Sequence, residues 1–183
     1  MALAITPAAA QTRIDQPTGD WVHSATGTRF PASLPPFNRG NITEYTSDGR
    51  DASVSYRLIR GDVLLLVTLY IYPARPGDSC QAHFDGLKAE VTNGTKTAEM
   101  ISESRADSPS GKTRGAGYRA RFHYPAGAMG PGLGELTSDA YLFCPKGGQW
   151  LVVYRATWSA KVDFSADVDQ VVRAIAWPTP LGE

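Results

Sequence analysis

The sequence predicts an α+β fold, with an antiparallel sheet of about six strands and helices packed on the sheet. Three observations support this prediction: segments in which polar and apolar residues alternate, short turn motifs between these segments, and two segments with helical apolar spacing. In chain order they give three strands, a helix, three strands and a second helix. Because strands joined by tight turns pair antiparallel, and an amphipathic helix must bury its apolar stripe, a layered domain follows.

Two turn motifs predict the first three strands. Asp48-Gly49 separates the alternating segments 41–46 and 51–59, and this dipeptide between alternating segments is typical of a β-hairpin. The tight turn at 60–62 then leads into 63–72, the longest apolar segment of the chain. These three segments are therefore expected to form a meander.

The first helix is predicted to begin near Cys80 and to end near Gly94. Asp78 or Ser79 supplies a side chain that can cap its N-terminus. The segment 97–106 that follows fits either a strand or a continuation of this helix. The residues of the apolar stripe are Cys80, Phe84, Leu87 and Val91.

The second half of the chain shows the same kinds of pattern. A long connection at 125–134 is rich in glycine and proline, so it is expected to lack regular structure. After it, alternation resumes, and a last segment carries valine and isoleucine on one helical stripe. The expected elements are strands at 117–124, 136–144 and 149–158, a hairpin turn at 146–148 and a helix at 164–176.

The start of the chain resembles the end of an export signal. Residues 1–11 form a short apolar segment that contains three consecutive alanines, and small residues precede a secretory cleavage site. We therefore expect residues 1–20 to be a residual signal or leader segment without fixed structure, 21–178 to be a single α+β domain, and 179–183 to be a tail. The alternative is an alanine-rich terminus on a cytoplasmic protein.

Cys80 and Cys144 are the two cysteines of the chain. Because exported proteins meet an oxidising environment, two cysteines there are more often bridged than free. The prediction is a disulfide between the first helix and a late strand and, with it, a periplasmic or secreted location. Two alternatives remain open: unpaired buried thiols, or a reactive Cys80 whose thiolate is favoured by the helix N-terminus.

Composition and charge exclude several classes of partner. Lys plus Arg and Asp plus Glu both number 18, a formal net charge of +0, whereas a nucleic-acid-binding protein needs a basic surplus. No segment reaches the roughly 20 apolar residues of a membrane-spanning helix. The histidines, His23, His83 and His123, show no metal-binding spacing, so neither a metal nor a cofactor is expected.

Four arginines occupy polar positions of the predicted alternating strands. If their strands are neighbours, the guanidinium groups form a patch suited to a carboxylate or a phosphate. The alternative is a solvated sheet face on which the arginines pair with Asp51, Asp139 or Glu135. The candidate ligand-binding residues are Arg57, Arg119, Arg121 and Arg155, together with His123 on the same parity.

Aromatic side chains are a second candidate for binding. The chain has four tryptophans and eight tyrosines, which offer a platform for a sugar or a peptide. Trp150 and Trp158 share the core parity of their strand, so packing is the role expected for these two tryptophans.

In its order of elements the chain resembles the PsbP-like α-β-α sandwich proteins, which are small exported or lumenal proteins. The resemblance spans residues 21–177 and implies a non-catalytic accessory or assembly role. The expected function is therefore an exported non-catalytic domain that binds a partner or supports the cell envelope. Two alternatives remain open: a small anionic-ligand binder that uses the arginine face, and an enzyme with His123 as the first candidate acid or base.

Overall fold

The computed structural model describes residues 11–15, 17–145 and 149–177. In this part of the chain the fold is mostly β, with 44% strand and two short helices. Nine of the strands form one antiparallel sheet, so the predicted α+β fold with about six strands is wrong. The elements are β1 (Thr12–Ile14), β2 (Trp21–Val22), β3 (Arg29–Phe30), β4 (Ser33–Leu34), β5 (Phe37–Glu44), β6 (Ala52–Arg60), β7 (Val63–Pro73), α1 (Cys80–Gly94), β8 (Glu99–Ala106), β9 (Gly117–Tyr124), β10 (Leu136–Phe143), β11 (Trp150–Ser159) and α2 (Ser165–Ala174).

The strand count is higher than predicted because three strands of the main sheet carry no alternating burial. In β8, seven of the eight residues are exposed, and the strand is held by its pairing with β9. Strands β1 and β4 are only three and two residues long, and both pair with β5. These segments owe their conformation to pairing with a neighbouring strand rather than to a buried side-chain pattern, so periodicity does not reveal them.

The folded part of the chain begins before residue 21. Strand β1 lies within the segment that the sequence assigns to the leader, yet it is paired with β5. The buried guanidinium of Arg39 donates hydrogen bonds to the carbonyl oxygens of Pro17 (2.7 Å) and Gly19 (2.9 Å), which ties the same segment to the domain. The rest of the predicted leader, 1–10, and the predicted tail, 179–183, lie outside the described residues.

The six predicted strands and the two predicted helices are present, with some of their ends shifted. Ser79 caps α1, because its Oγ accepts a hydrogen bond from the backbone N–H of Ala82 at 3.1 Å. Gly49 and Gly61 adopt φ of +65° in the two predicted turns, a conformation that glycine takes without strain. The predicted turn at 146–148 lies outside the described residues.

The sheet consists of two meanders that meet at its centre. Its strand order is β1-β5-β6-β7-β11-β10-β9-β8, with β4 beside β5. The first meander ends with β7 and the second with β11, and these two strands pair from Trp150 opposite Pro73 to Trp158 opposite Leu65. After β7 the chain has to reach the far edge of the sheet to form β8, and α1 makes this crossing over one face.

The two helices cover opposite faces of the sheet. Helix α2 packs its valines against the core side chains of β6, β7 and β11. Helix α1 packs Phe84, Leu87 and Val91 against β9, β10 and β11 on the other face. The α1 side of β5, β6 and β7 lies beyond this packing, and we call it the open half-face. Three apolar residues stand exposed there: Ile59 (66%), Leu64 (48%) and Leu66 (40%).

The predicted disulfide between Cys80 and Cys144 is confirmed. It joins the first residue of α1 to the residue after β10, across a sequence separation of 64, with the two Cα atoms 5.9 Å apart. Neither cysteine is free, so a reactive Cys80 thiol is not a feature of this structure. The bond anchors the start of α1 on the half of the sheet that the helix covers.

Candidate functional site

The four predicted arginines do not share one face of the sheet. Arg121 of β9 and Ala156 of β11 pair with the same residue of β10, so their side chains lie on the same face of the sheet. Because Ala156 belongs to the core under α2, this is the α2 face, and Arg119 lies on it too. Arg155 is the sequence neighbour of Ala156 and therefore lies on the α1 face, where Arg57 is also found. The single arginine patch is therefore a wrong prediction, since two arginines lie on each side.

Asp139 occupies the guanidinium groups of Arg119 and Arg121. Arg121 donates from Nε to Oδ1 (2.7 Å) and from Nη2 to Oδ2 (2.8 Å), and Arg119 donates from Nη2 to Oδ2 (2.6 Å). Asp139 is fully buried, and its hydrogen bonds raise the pKa of Arg121. A further hydrogen bond from Arg121 to Ser165 Oγ (2.8 Å) links the cluster to α2. These two arginines hold sheet and helix together, and Arg119 also lines a smaller pocket of about 220 Å³ with Arg105 and Arg173.

His123 and Arg57 lie away from one another. His123 shares the α2 face with Arg121, and its Nε2 is 3.6 Å from Glu135 Oε2 in a pair whose glutamate is mostly exposed. Arg57 is exposed on the open half-face, and within the described residues it has no hydrogen bond or ion pair. Neither residue lines the cleft described next.

A cleft of about 600 Å³ lies beside α1, where the cover of the helix ends and the open half-face begins. We call it the tyrosine cleft. Its volume falls in the range of sites for small organic ligands. Its lining residues are Tyr70, Tyr72 and Pro73 of β7, His83, Leu87 and Glu90 of α1, Leu151, Val153 and Arg155 of β11, and Tyr45, Asp51 and Arg75 of the neighbouring loops.

Three tyrosines give the cleft its character. Tyr70 and Tyr72 are two positions apart on β7 and so share a face, and the ring of Tyr45 stacks on Tyr70 with centroids 6.4 Å apart. Burial raises the pKa of Tyr70 and raises that of Tyr72 to about 12. Both hydroxyls therefore remain protonated at neutral pH and can donate hydrogen bonds.

Charged side chains of both signs line the cleft. Asp51 and Glu90 bring two carboxylates, and burial raises the pKa of Asp51. Arg155 brings a guanidinium whose hydrogen bond, to Tyr124 Oη, is long at 3.5 Å. Arg75 also lies at the rim, but it is largely exposed and already paired with Asp78 at 3.5 Å. The charges left for a ligand are therefore two carboxylates and one guanidinium.

His83 adds an unpaired polar atom to the cleft. Its side chain is buried with 8% exposure, and its Nε2 has no hydrogen-bond partner among the described residues. A buried polar atom without a partner costs about 1–3 kcal/mol. Nε2 is itself screened from solvent, and the fully buried His23 has an unpartnered Nε2 as well, so this atom does not by itself mark a binding site.

Sequence reasoning identified only part of this cleft. Arg155 belonged to the predicted ligand-binding set, and the tyrosines were counted as a possible platform without being placed. The signal that could have placed them lies in β7, where Tyr70 and Tyr72 take the parity opposite to the core residues Leu69 and Ile71. Asp51 and Glu90 carried no local signal, because only the fold brings their segments to the same cleft.

Comparison with known proteins does not assign this chain to a family. No protein-family model matches it, and no curated protein is similar to it in sequence. The resemblance to PsbP-like proteins therefore stays a prediction. Within the described residues, neither helix has the length and apolar character to cross a membrane, and no cluster of three or more histidine, cysteine, aspartate or glutamate side chains could hold a metal ion.

Proposed function

We propose that this protein is an exported, non-catalytic domain that binds a small organic ligand in the tyrosine cleft. The observation that carries the proposal is the cleft itself. It combines a ligand-sized volume, neutral tyrosine hydroxyls and charged side chains of both signs. Convergent polar groups above apolar walls are the usual composition of a ligand site.

Export is supported by the disulfide and by the start of the sequence. A bond between Cys80 and Cys144 persists in an oxidising compartment, and the alanine-rich segment 1–11 fits a secretory cleavage site. We therefore propose that the protein is located in the periplasm or outside the cell. Fractionation of the native organism combined with thiol labelling tests this: a cytoplasmic protein with both thiols labelled would contradict it.

We propose binding rather than catalysis because the tyrosines that shape the cleft act as hydrogen-bond donors at neutral pH. A general base works best with a pKa near the operating pH, and a tyrosine whose pKa is about 12 donates a hydrogen bond but rarely accepts a proton. His123, the candidate for acid–base chemistry, lies on the α2 face, outside the cleft. An enzyme that uses His123 stays a separate prediction.

The ligand is not proposed to be a simple anion. Of the four arginines suggested for that role, only Arg155 lines the cleft, and it faces a site that also holds Asp51 and Glu90. These two carboxylates oppose the attraction that the guanidinium exerts on an anion. The cleft instead favours a ligand with hydrogen-bonding groups and apolar surface.

Removing one hydroxyl from the cleft tests the proposal. We expect thermal-shift screening of a panel of small organic compounds to find ligands, and Tyr72→Phe to weaken their binding about tenfold, because a lost hydrogen bond in a buried site costs about 1.4 kcal/mol. Dissociation constants from calorimetry give the measurement.

The matched control is Tyr118→Phe. Tyr118 stacks on Phe84 at 4.9 Å beneath α1 and does not line the cleft, so this variant should bind like the wild type. A panel without any ligand, or an equal loss in both variants, would contradict a ligand site in the tyrosine cleft.

A further inference from the structure

The tyrosine cleft has charges of opposite sign at its two ends. Arg155 pairs in register with Thr68 of β7, whereas Asp51 precedes Ala52, the partner of Ile71, and so lies beside Tyr72. The rows of Thr68 and Tyr72 are four residues apart, which is about 13 Å along a strand. The guanidinium and this carboxylate therefore start from opposite ends of the cleft.

The electrostatic environment of the two tyrosines agrees with this layout. At Tyr72, after burial, the carboxylates of Glu90 and Asp51 contribute most to the raised pKa, and they outweigh Arg75. At Tyr70, after burial and the neighbouring Tyr45, Arg155 acts to lower the pKa and outweighs Glu90. The Tyr72 end is therefore negative, and the Tyr70 end is the more positive one.

The space between the charged ends suits a peptide backbone. The tyrosine hydroxyls can exchange hydrogen bonds with amide groups. Leu87, Leu151 and Val153 form apolar walls that can bury small side chains. An extended peptide of three or four residues spans roughly 10–14 Å, which matches the distance between the charged rows.

Given the proposed ligand-binding function, on which this step rests, we infer that the cleft binds a short peptide with a free amino terminus and a free carboxyl terminus. The ammonium group lies at Asp51, and the carboxylate lies at Arg155. A single amino acid is too short, because its charged groups are only about 3 Å apart. A neutral sugar would leave the half-buried Asp51 and Arg155 without a charged partner.

Peptides with one blocked terminus test the two charged ends of the cleft one at a time. The probe is alanyl-leucyl-alanine in its free form, with an acetylated N-terminus, or with an amidated C-terminus, titrated into the wild-type protein by calorimetry. We expect the free peptide to bind and each cap to weaken binding at least about tenfold, since each cap leaves a charge of the cleft unpaired.

Two variants assign each end of the peptide. In Arg155→Gln, amidation of the peptide should no longer weaken binding, whereas acetylation should still do so. In Asp51→Asn, acetylation should no longer weaken binding, whereas amidation should still do so. Arg57→Gln is the matched control, because Arg57 lies on the same face but outside the cleft, and it should change neither penalty.

The outcomes distinguish this inference from the proposed function. The peptide inference fails if capped and free peptides bind with equal affinity. It also fails if no tripeptide binds while Tyr72→Phe weakens the binding of a panel compound, and in that case the ligand site stands. If no tripeptide binds and no panel compound responds to Tyr72→Phe, both fail. If the penalties occur but are unchanged in Arg155→Gln and Asp51→Asn, the peptide binds elsewhere and the inference also fails.

Discussion

At the level of single residues, a buried carboxylate organises one side of this fold. Asp139 is fully buried between Arg119 and Arg121, and Arg121 also reaches Ser165 at the start of α2. Strands β9 and β10 and helix α2 thus meet in one cluster. A buried charge is tolerated only when its partners remain in place, so this cluster is sensitive to the loss of a single charge.

Asp139→Asn is expected to destabilise the protein by about 3 kcal/mol, the lower end of the cost of breaking a buried ion pair. The lower end applies because the side chains of Arg119 and Arg121 are 26% and 27% exposed and can recover some hydration. Urea denaturation gives the free energy of unfolding. Asp62→Asn, at an exposed turn, is the control and should change it by no more than about 0.5 kcal/mol. Equal effects of the two variants would argue against the cluster.

His23 makes the stability of the protein depend on pH. It is fully buried, its ring meets Trp150 edge-on at 5.5 Å, and its Nδ1 lies 2.8 Å from Thr26 Oγ1. Burial lowers the pKa of His23 below 6.5, against smaller opposing effects of the backbone of Gly49 and Arg50 and of the Glu44 carboxylate. The unfolded chain therefore takes up a proton first as the pH falls.

We expect the free energy of unfolding to be highest above pH about 6.5 and to fall as the pH decreases from there toward the lowered pKa of His23. Urea denaturation between pH about 7 and 5 measures this loss, which should be smaller in His23→Gln than in the wild type. An NMR titration that places the pKa of His23 at or above 6.5 would contradict the prediction.

At the level of elements, α1 is the part of the molecule on which the cleft most depends. The helix is capped by Ser79 and packs on β9, β10 and β11 through its apolar stripe. Its first residue, Cys80, is joined by the disulfide to Cys144, the residue after β10. His83 and Glu90 project from the helix into the cleft. A shift of α1 would therefore change the cleft while leaving the sheet intact.

Replacing both cysteines by serine is expected to lower the free energy of unfolding by about 4 kcal/mol, because the bond closes a long loop and restricts the unfolded chain. Ligand binding should also weaken, since the start of α1 loses its anchor on the sheet. Urea denaturation of Cys80→Ser/Cys144→Ser gives the first value, and calorimetry gives the second. The wild type in excess reductant should match the double variant, and unchanged stability in both would refute the role of the bond.

At the level of the whole molecule, the cleft results from unequal cover of a wide sheet. Nine strands are too many for one short helix to cover. Helix α1 packs on the second meander, and the same face of the first meander stays uncovered as the open half-face. The boundary between covered and open sheet runs along β7, where the tyrosines lie. Buried apolar side chains lie on both faces of β11, next to this boundary.

The sequence determined those features that depend on near neighbours in the chain. Alternation identified which side chains of a strand point the same way, glycine turns identified the hairpins, and helical spacing located α1 and α2. The two cysteines in an export-like chain predicted their bond. Each of these follows from local backbone geometry or from chemistry that is independent of the fold.

Tertiary structure decided what depends on how the strands align. Alternation does not say which parity of one strand matches which parity of the next, and a shift of one residue reverses the faces, so Arg121 and Arg155 lie on opposite sides. Edge strands such as β8 exist only through pairing with a neighbour. The tyrosine cleft joins residues from two loops, two strands and a helix, and long-range packing alone brings these segments together.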